Sequence, residues 1–281
     1  MINYNLHQHT RFSDGDREPE DFVMQAINLG FKAVGFSEHS PLPFDNPFSL
    51  KEENVEEYIR VTDDLKKKYG DKICIYRALE MDYIPGMSTD FNHWKKRCST
   101  DYLIGSVHLV KPPTTNDLWF TDGPKYETYD QGLNDFFGGD IKRAVKKFYQ
   151  QTNEMIDTQS FDIVGHVDKI KMHNRDRYFK EEESWYQNLV DETLHLIKEK
   201  NLIVEINTRG IYKKRYPGLF PDGITLQKVK DLKIPVIISS DAHLPEELNL
   251  GFDIAISRLK EFGFREVMKF EGGEWISVGL C

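Results

Sequence analysis

Residues 1–15 read MINYNLHQHTRFSDG, and the two histidines one residue apart decide how the chain is to be read. Residues i and i+2 of a strand point to the same side. A strand over Tyr4 to His9 would therefore turn His7 and His9 one way and Gln8 the other. Two imidazoles on one face are either half of a metal site or two surface histidines, and the pair alone does not choose. The choice rests on whether the rest of the chain supplies the other half.

Outward from this stretch, six more apolar, β-branched or aromatic runs follow: AVGFSEH (33–39), ICIYRALEM (73–81), YLIGSVHLV (102–110), FDIVGHVD (161–168), LIVEINT (202–208) and PVIISSDAH (235–243). Amphipathic stretches with helical spacing lie between most of them. In residues 18–30, Phe22, Val23, Ala26 and Ile27 make one stripe and Gly30 is a stop signal. In residues 140–156, Asp140 is an N-cap candidate before Ile141, Ala144, Val145, Phe148 and Met155. Residues 185–202 and 250–263 repeat the pattern. Alternation of this kind predicts an α/β fold with a parallel sheet and helices outside.

Seven strands without a Pro/Gly/Ser linker favour a single domain over 1–281, built as a closed or nearly closed barrel. An open doubly wound sheet is the structural alternative. Residues 111–139 form an insertion loop too long for a tight βα turn, rich in Trp119, Phe120, Tyr126, Tyr129, Phe136 and Phe137. Long loops in compact domains are usually functional, which suggests a lid or substrate wall. A packing arm or a homo-oligomer contact is the alternative, because aromatics also dominate interfaces. Residues 264–281 read as a C-terminal hairpin around Gly272 and Gly273.

The net charge of −9 is spread along the chain, and the pI is near 5.5. A nucleic-acid partner is not expected, since such proteins show a basic stripe and a high pI. No apolar run approaches the length of a membrane helix, so no membrane partner is expected either. The three cysteines, Cys74, Cys98 and Cys281, are widely spaced and suit a reducing, cytoplasmic location. The N-terminus shows no signal-peptide pattern.

Each run ends in a metal-type residue: His7 and His9, Glu38 and His39, Glu80 and Asp82, His108, His166 and Asp168, Glu205, and finally Asp241 and His243. In a βα barrel the C-terminal strand ends converge on one mouth, where active sites lie. Six of the nine histidines fall at these ends, which favours the metal reading of the opening pair. His93 and His195 sit on helical stretches and read as bystanders, while His173 stays open. Histidine and carboxylate ligands without thiolates leave room for water and substrate. So many ligands imply two or three divalent ions, a hydrolytic tool suited to displacement at phosphorus. Zinc, manganese and iron all suit mixed N/O ligands.

The order HQH, EH after the second run, a lone Glu after the third, then SVH, GHVD, EINT and SDAH resembles the polymerase and histidinol phosphatase (PHP) superfamily. Within it, the chain looks like histidinol-phosphate phosphatases. The resemblance spans Met1 to about Leu244. It implies a distorted seven-stranded (β/α) barrel with a trinuclear site. His7, His9, Glu80 and Asp241 would hold the first ion, and Glu80 would bridge to a second on His108 and His166. His39 and His243 would hold a third, with Asp14 in place of the further histidine many relatives use. The reaction implied is hydrolysis of a small phosphomonoester, L-histidinol phosphate, in histidine biosynthesis. Asp241, His243 or a water would supply the leaving-group proton, with Glu80 bridging the catalytic ions. Arg209, just beyond the sixth run, is the candidate phosphate clamp. Lys169, Lys171 and Arg175 are candidates for a second cation. Another small phosphomonoester or nucleotide, an amidohydrolase-like reaction and a non-catalytic metal scaffold are the alternative readings. The amidohydrolase type usually needs a bridging lysine where this chain has Glu80.

Overall fold

The computed structural model describes residues 2–113, 115 and 117–280. Met1, Thr114 and Asn116 of the expected insertion, and Cys281 of the expected hairpin lie outside the described residues. Strand β1 (Tyr4–Asn5) leads through α1 (Pro19–Asn28) to β2 (Ala33–His39), and α2 (Val55–Tyr69) joins β2 to β3 (Cys74–Asp82). After α3 (Phe91–Cys98) and β4 (Tyr102–Ser106) comes a detour through β5 (Leu109–Val110), β6 (Trp119–Phe120), α4 (Tyr126–Phe137) and α5 (Ile141–Thr158). The alternation resumes with β7 (Ile163–Val164), α6 (Ser184–Glu199), β8 (Ile203–Asn207), α7 (Arg209–Tyr212), α8 (Gly223–Asp231), β9 (Val236–Ser239) and α9 (Phe252–Glu261).

The sheet runs β1-β2-β3-β4-β7-β8-β9, with every neighbouring pair parallel. Parallel strands covered by helices are buried on both faces. All seven residues of β2 are buried, Ser37, Glu38 and His39 among them. The barrel is nearly closed where Gln8 bridges Ala242 in parallel and His9 N donates to Ala242 O at 2.8 Å. This closure corrects the expected continuous strand from Tyr4 to His9. Regular pairing stops at Asn5, because the segment must then reach partners on both sides: Ser37 N donates to Gln8 O at 3.0 Å while His9 turns to Ala242. His7 and His9 still share a face.

The hairpin of β10 (Glu266–Glu271) and β11 (Glu274–Gly279) covers the opposite, N-terminal end of the barrel. Tyr4 donates its hydroxyl to Met268 O at 2.6 Å, and Phe270 packs on Tyr102 and Trp275. The expected insertion loop is partly regular. Residues 126–137 are helical, with Tyr129, Leu133 and Phe137 buried at helical spacing and Gly138 closing the turn in the left-handed region. The aromatic count hid a 3.6-residue period.

Inside the barrel Tyr102 reaches across to donate to Leu6 O at 2.6 Å. Gly35 makes the room: a Cβ there would stand 2.0 Å from the Tyr102 hydroxyl oxygen but 3.1 Å from the ring carbon behind it. Gly35→Ala should therefore destabilise the fold by about 1–3 kcal/mol, the usual cost of overpacking a core. Combining it with Tyr102→Phe should restore part of the loss, read as the midpoint of thermal or urea unfolding. A Gly35→Ala protein as stable as the parent would contradict this packing.

Candidate metal centre

The C-terminal ends of β1, β2, β3, β4, β7 and β9 bring six histidines to one mouth around a single carboxylate. Glu80 Oε2 lies 3.2 Å from His7 Nε2, 3.3 Å from His9 Nε2 and 3.4 Å from His39 Nδ1. Its Oε1 lies 3.0 Å from His166 Nε2 and 3.4 Å from His108 Nε2, and accepts from Ser106 Oγ at 2.6 Å. The local cause is the pleat of β3, which sends Glu80 and Asp82 to the barrel interior together. His166 and Asp241 both adopt positive φ, 21° and 51°, directly past their strands. Such backbone strain in non-glycine residues concentrates at functional sites.

Three groups of side chains have ligand atoms close enough to share an ion: His7, His9 and Asp241; His39, Glu80 and His108; and His9, Asp14, His39 and His243. His166 joins the second through its 3.2 Å contact with His108. Asp14, the residue read as a substitute ligand, lies 3.1 Å from His243 Nε2 and 3.8 Å from His39 Nε2.

The residues present fit metal ions on two counts. His7 Nε2 and His9 Nε2 are buried without a hydrogen-bond partner, although buried polar atoms are almost always paired. The imidazoles also crowd one another, with His9 4.5 Å from both His39 and His243 between ring centroids. Together these put lone pairs and negative charge where divalent cations would satisfy both. Burial disfavours charge on His9, but the carboxylates of Asp241 and Glu80, 3.4 and 3.3 Å from its Nε2, outweigh it and raise its pKa to about 9. His243 goes the other way, lowered to about 4 by burial and then by Arg209. Burial opposes ionisation of Glu80, yet the surrounding histidines hold it well below the usual carboxylate range.

Outer carboxylates orient the rings, as is common at metal sites. Glu205 bonds His7 Nδ1 and also accepts from His166 N at 2.7 Å and Asn207 Nδ2 at 3.2 Å. Asp82 bonds both His39 and His108. Glu38, a strand-end acid in the sequence, faces away from the cluster and organises the 10–13 turn, accepting from Thr10 N and Thr10 Oγ1.

A cavity of about 280 Å³ opens over the cluster, walled by Phe48 and Phe120. Arg209, Lys169 and Arg215 line it. Arg209 is buried, donating through Nη1 to Asp241 O at 2.5 Å, with His243 Nδ1 2.7 Å away. Lys169 lies 3.0 Å from Asp122 and 3.6 Å from Asp241. Arg215 makes no salt bridge among the described residues. The sequence reading passed over Arg215 and Asp122, whereas Phe120 lies in the insertion it expected as a substrate wall. Asp122 stands in the aromatic insertion and Arg215 in a basic loop, with nothing local to mark either.

Two of the expected second cations are corrected. Lys171 points away from the mouth into a buried pair with Asp168 (2.8 Å) and Glu181 (3.0 Å). The short 3-10 turn Lys169–Lys171 puts residues 169 and 171 on different sides. Asp168, consumed by that pair, does not join the cluster. Arg175 donates to Arg215 O at 3.0 Å on the surface. His173 lies 2.7 Å from Gly123 O and thereby ties the insertion to the loop after β7. His93 and His195 are exposed on helices.

Metal analysis of the purified protein should find more than one ion per chain, with chelation removing hydrolytic activity and Mn, Zn or Co restoring it. Glu80→Gln keeps the side-chain shape but removes the charge that serves both sides of the cluster. It should lower metal content and nearly eliminate turnover, whereas a merely structural Glu80 predicts normal metal content.

The sequence profile of the PHP domain family matches residues 5–209. Histidinol-phosphatase of Bacillus subtilis (strain 168) is 25% identical over 268 residues, covering 90% of this chain and 97% of that protein. Among solved structures, histidinol phosphate phosphatase from Lactococcus lactis, complexed with zinc, L-histidinol and phosphate, superposes with a TM-score of 0.68. It is 22% identical and covers 97% of this chain and 98% of that one. A Listeria monocytogenes chain superposes with a TM-score of 0.78 at 20% identity, covering 89% of this chain and 99% of its own. With a profile match over most of its length and a seven-stranded barrel carrying the histidine cluster at its mouth, the chain belongs to the PHP domain family.

Proposed function

We propose that this protein is a metal-dependent histidinol-phosphate phosphatase, hydrolysing L-histidinol phosphate to L-histidinol and phosphate in histidine biosynthesis. The observation that carries the reading is the histidine cluster around Glu80 beneath a cavity lined by Arg209, Lys169 and Arg215. The names of the relatives add the substrate. In this reading residues 1–281 act as one PHP-type domain.

His7, His9, Glu80 and Asp241 would hold one ion, Glu80, His108 and His166 a second, and Asp14, His39 and His243 a third. Divalent ions bound there lower the pKa of water and neutralise charge on the phosphoryl group. The chain's own side chains do the rest. Arg209 and Arg215 present planar donors for the phosphoryl oxygens, and Lys169 adds a point charge. Asp241 and His243 flank the cavity and handle the proton taken up by the leaving alkoxide. Phe48 and Phe120, their rings 6.1 Å apart and nearly parallel, wall the space for the organic part of the ester. Asp122 lines the same space and offers a carboxylate toward a cationic substrate group.

Histidinol phosphate should exceed p-nitrophenyl phosphate in kcat/KM, although the latter has the better leaving group. Only contacts to remote groups, realised in the transition state, can reverse that order. A nucleotide that clearly outperforms histidinol phosphate would reassign the substrate.

Arg209→Met and Arg215→Met separate clamp from brace. Loss of a phosphoryl donor should lower kcat/KM on the order of 10²-fold or more with metal content unchanged. Arg209→Lys should recover only part, since a point charge cannot reproduce two parallel bonds. If Arg209→Met instead loses metal, its role is to hold Asp241 and His243 in place.

A further inference from the structure

His39 belongs by distance to two of the three ligand groups: one with Glu80 and His108, the other with His9, Asp14 and His243. Each ring nitrogen faces a different group. Nδ1 lies 3.4 Å from Glu80 Oε2, and Nε2 lies 3.8 Å from Asp14 Oδ1. Asp82 decides between them. Its Oδ2 stands 2.9 Å from His39 Nδ1, and its Oδ1 stands 2.5 Å from His108 Nδ1. The carboxylate is 1% exposed and lies outside all three ligand groups.

We propose that Asp82 is a positioning residue shared by two ion sites: by holding the proton of both His39 and His108 on Nδ1, it commits His39 to the Asp14 and His243 side and His108 to the Glu80 and His166 side. An ionised carboxylate only accepts hydrogen bonds, so both rings must donate to it through Nδ1–H. Each then presents an unprotonated Nε2. His108 Nε2 faces Glu80 Oε1 at 3.4 Å and His166 Nε2 at 3.2 Å. His39 Nε2 faces Asp14. Histidine ligands usually have such a partner for the second nitrogen, but here one carboxylate serves rings that point to different ions. The two sites are therefore set by one side chain, while the group of His7, His9 and Asp241 has its own orienting carboxylate in Glu205. The inference rests on reading the cluster as a metal centre, not on the identity of the phosphate ester.

Asp82→Asn is the sharpest variant. An amide offers one accepting oxygen and one donating NH₂, so only one ring keeps its bond. The other must move its proton to Nε2, where it blocks a ligand lone pair. Zinc stoichiometry and affinity, read by elemental analysis and chelator competition, should show one of the two ions beside His39 and His108 weakened by about 10–100-fold, with the other ions retained. Nitrogen-15 spectra of histidine-labelled, zinc-loaded parent protein need no variant and should show His39 and His108 both protonated at Nδ1. An Nε2 proton on either ring overturns the proposal, as does an Asp82→Asn protein that keeps every ion at parental affinity. Should the variant fail to fold, the ring spectra decide alone. A parent that binds no zinc defeats the metal-centre reading itself, whereas a zinc-binding parent with an indifferent variant defeats only the shared brace.

Discussion

One buried carboxylate with five imidazoles around it is the constraint on which the rest of this structure depends. Glu80 has His7, His9 and His39 on one oxygen, and His108 and His166 on the other. Burying a carboxylate without compensation is costly, and the imidazoles crowded around it leave buried lone pairs that cations would satisfy. The barrel supplies the geometry by converging strand ends, and divalent ions supply the charge. Gly165 reflects the same crowding, since a Cβ there would meet Ser106 Oγ at 2.3 Å and displace the hydroxyl bonded to Glu80.

Around this centre the molecule divides its labour by end. The hairpin of β10 and β11 covers the N-terminal end through Phe270, Trp275 and the Tyr4 bond to Met268, where only packing is asked of it. The other end is built from loops of unequal length. The longest, between β4 and β7, buries Trp119 and Tyr129 against each other and leaves Phe120 and Asp122 at the cavity. Its aromatic residues therefore serve both readings, as a packing arm and as a wall of the site. His173 joins it to the loop after β7 through Gly123, the neighbour of Asp122.

Much of the site was legible because the signals are local. A strand's two-residue period put His7 and His9 on one face, and that result survived even though β1 pairs regularly only over Tyr4–Asn5. The histidines and acids that end the apolar runs marked the mouth before any contact was known. Helix signals held as well, with Asp140 accepting from Arg143 N at 3.1 Å as the cap of α5. Where the period was masked, as in α4 among its aromatic neighbours, the helix was missed.

What the sequence by itself determined is the alternation of the seven sheet strands with helices and the chemical type of residue at each strand end. Those follow from periods of 2 and 3.6 residues, which act within a few positions of the chain. Only the tertiary structure decided which of these residues meet. Glu80 and His166 are 86 positions apart, His7 and Glu205 198 apart, and their pairing is a product of barrel closure rather than of spacing. The tertiary structure likewise gave different partners to Lys169, at the cavity, and to Lys171, two residues on across a short 3-10 turn and set in a buried pair with Asp168. It also set Asp82 between His39 and His108, so that one carboxylate fixes the ring nitrogen each presents. A sequence names a histidine, but only the partner across the barrel decides which of its nitrogens keeps the proton.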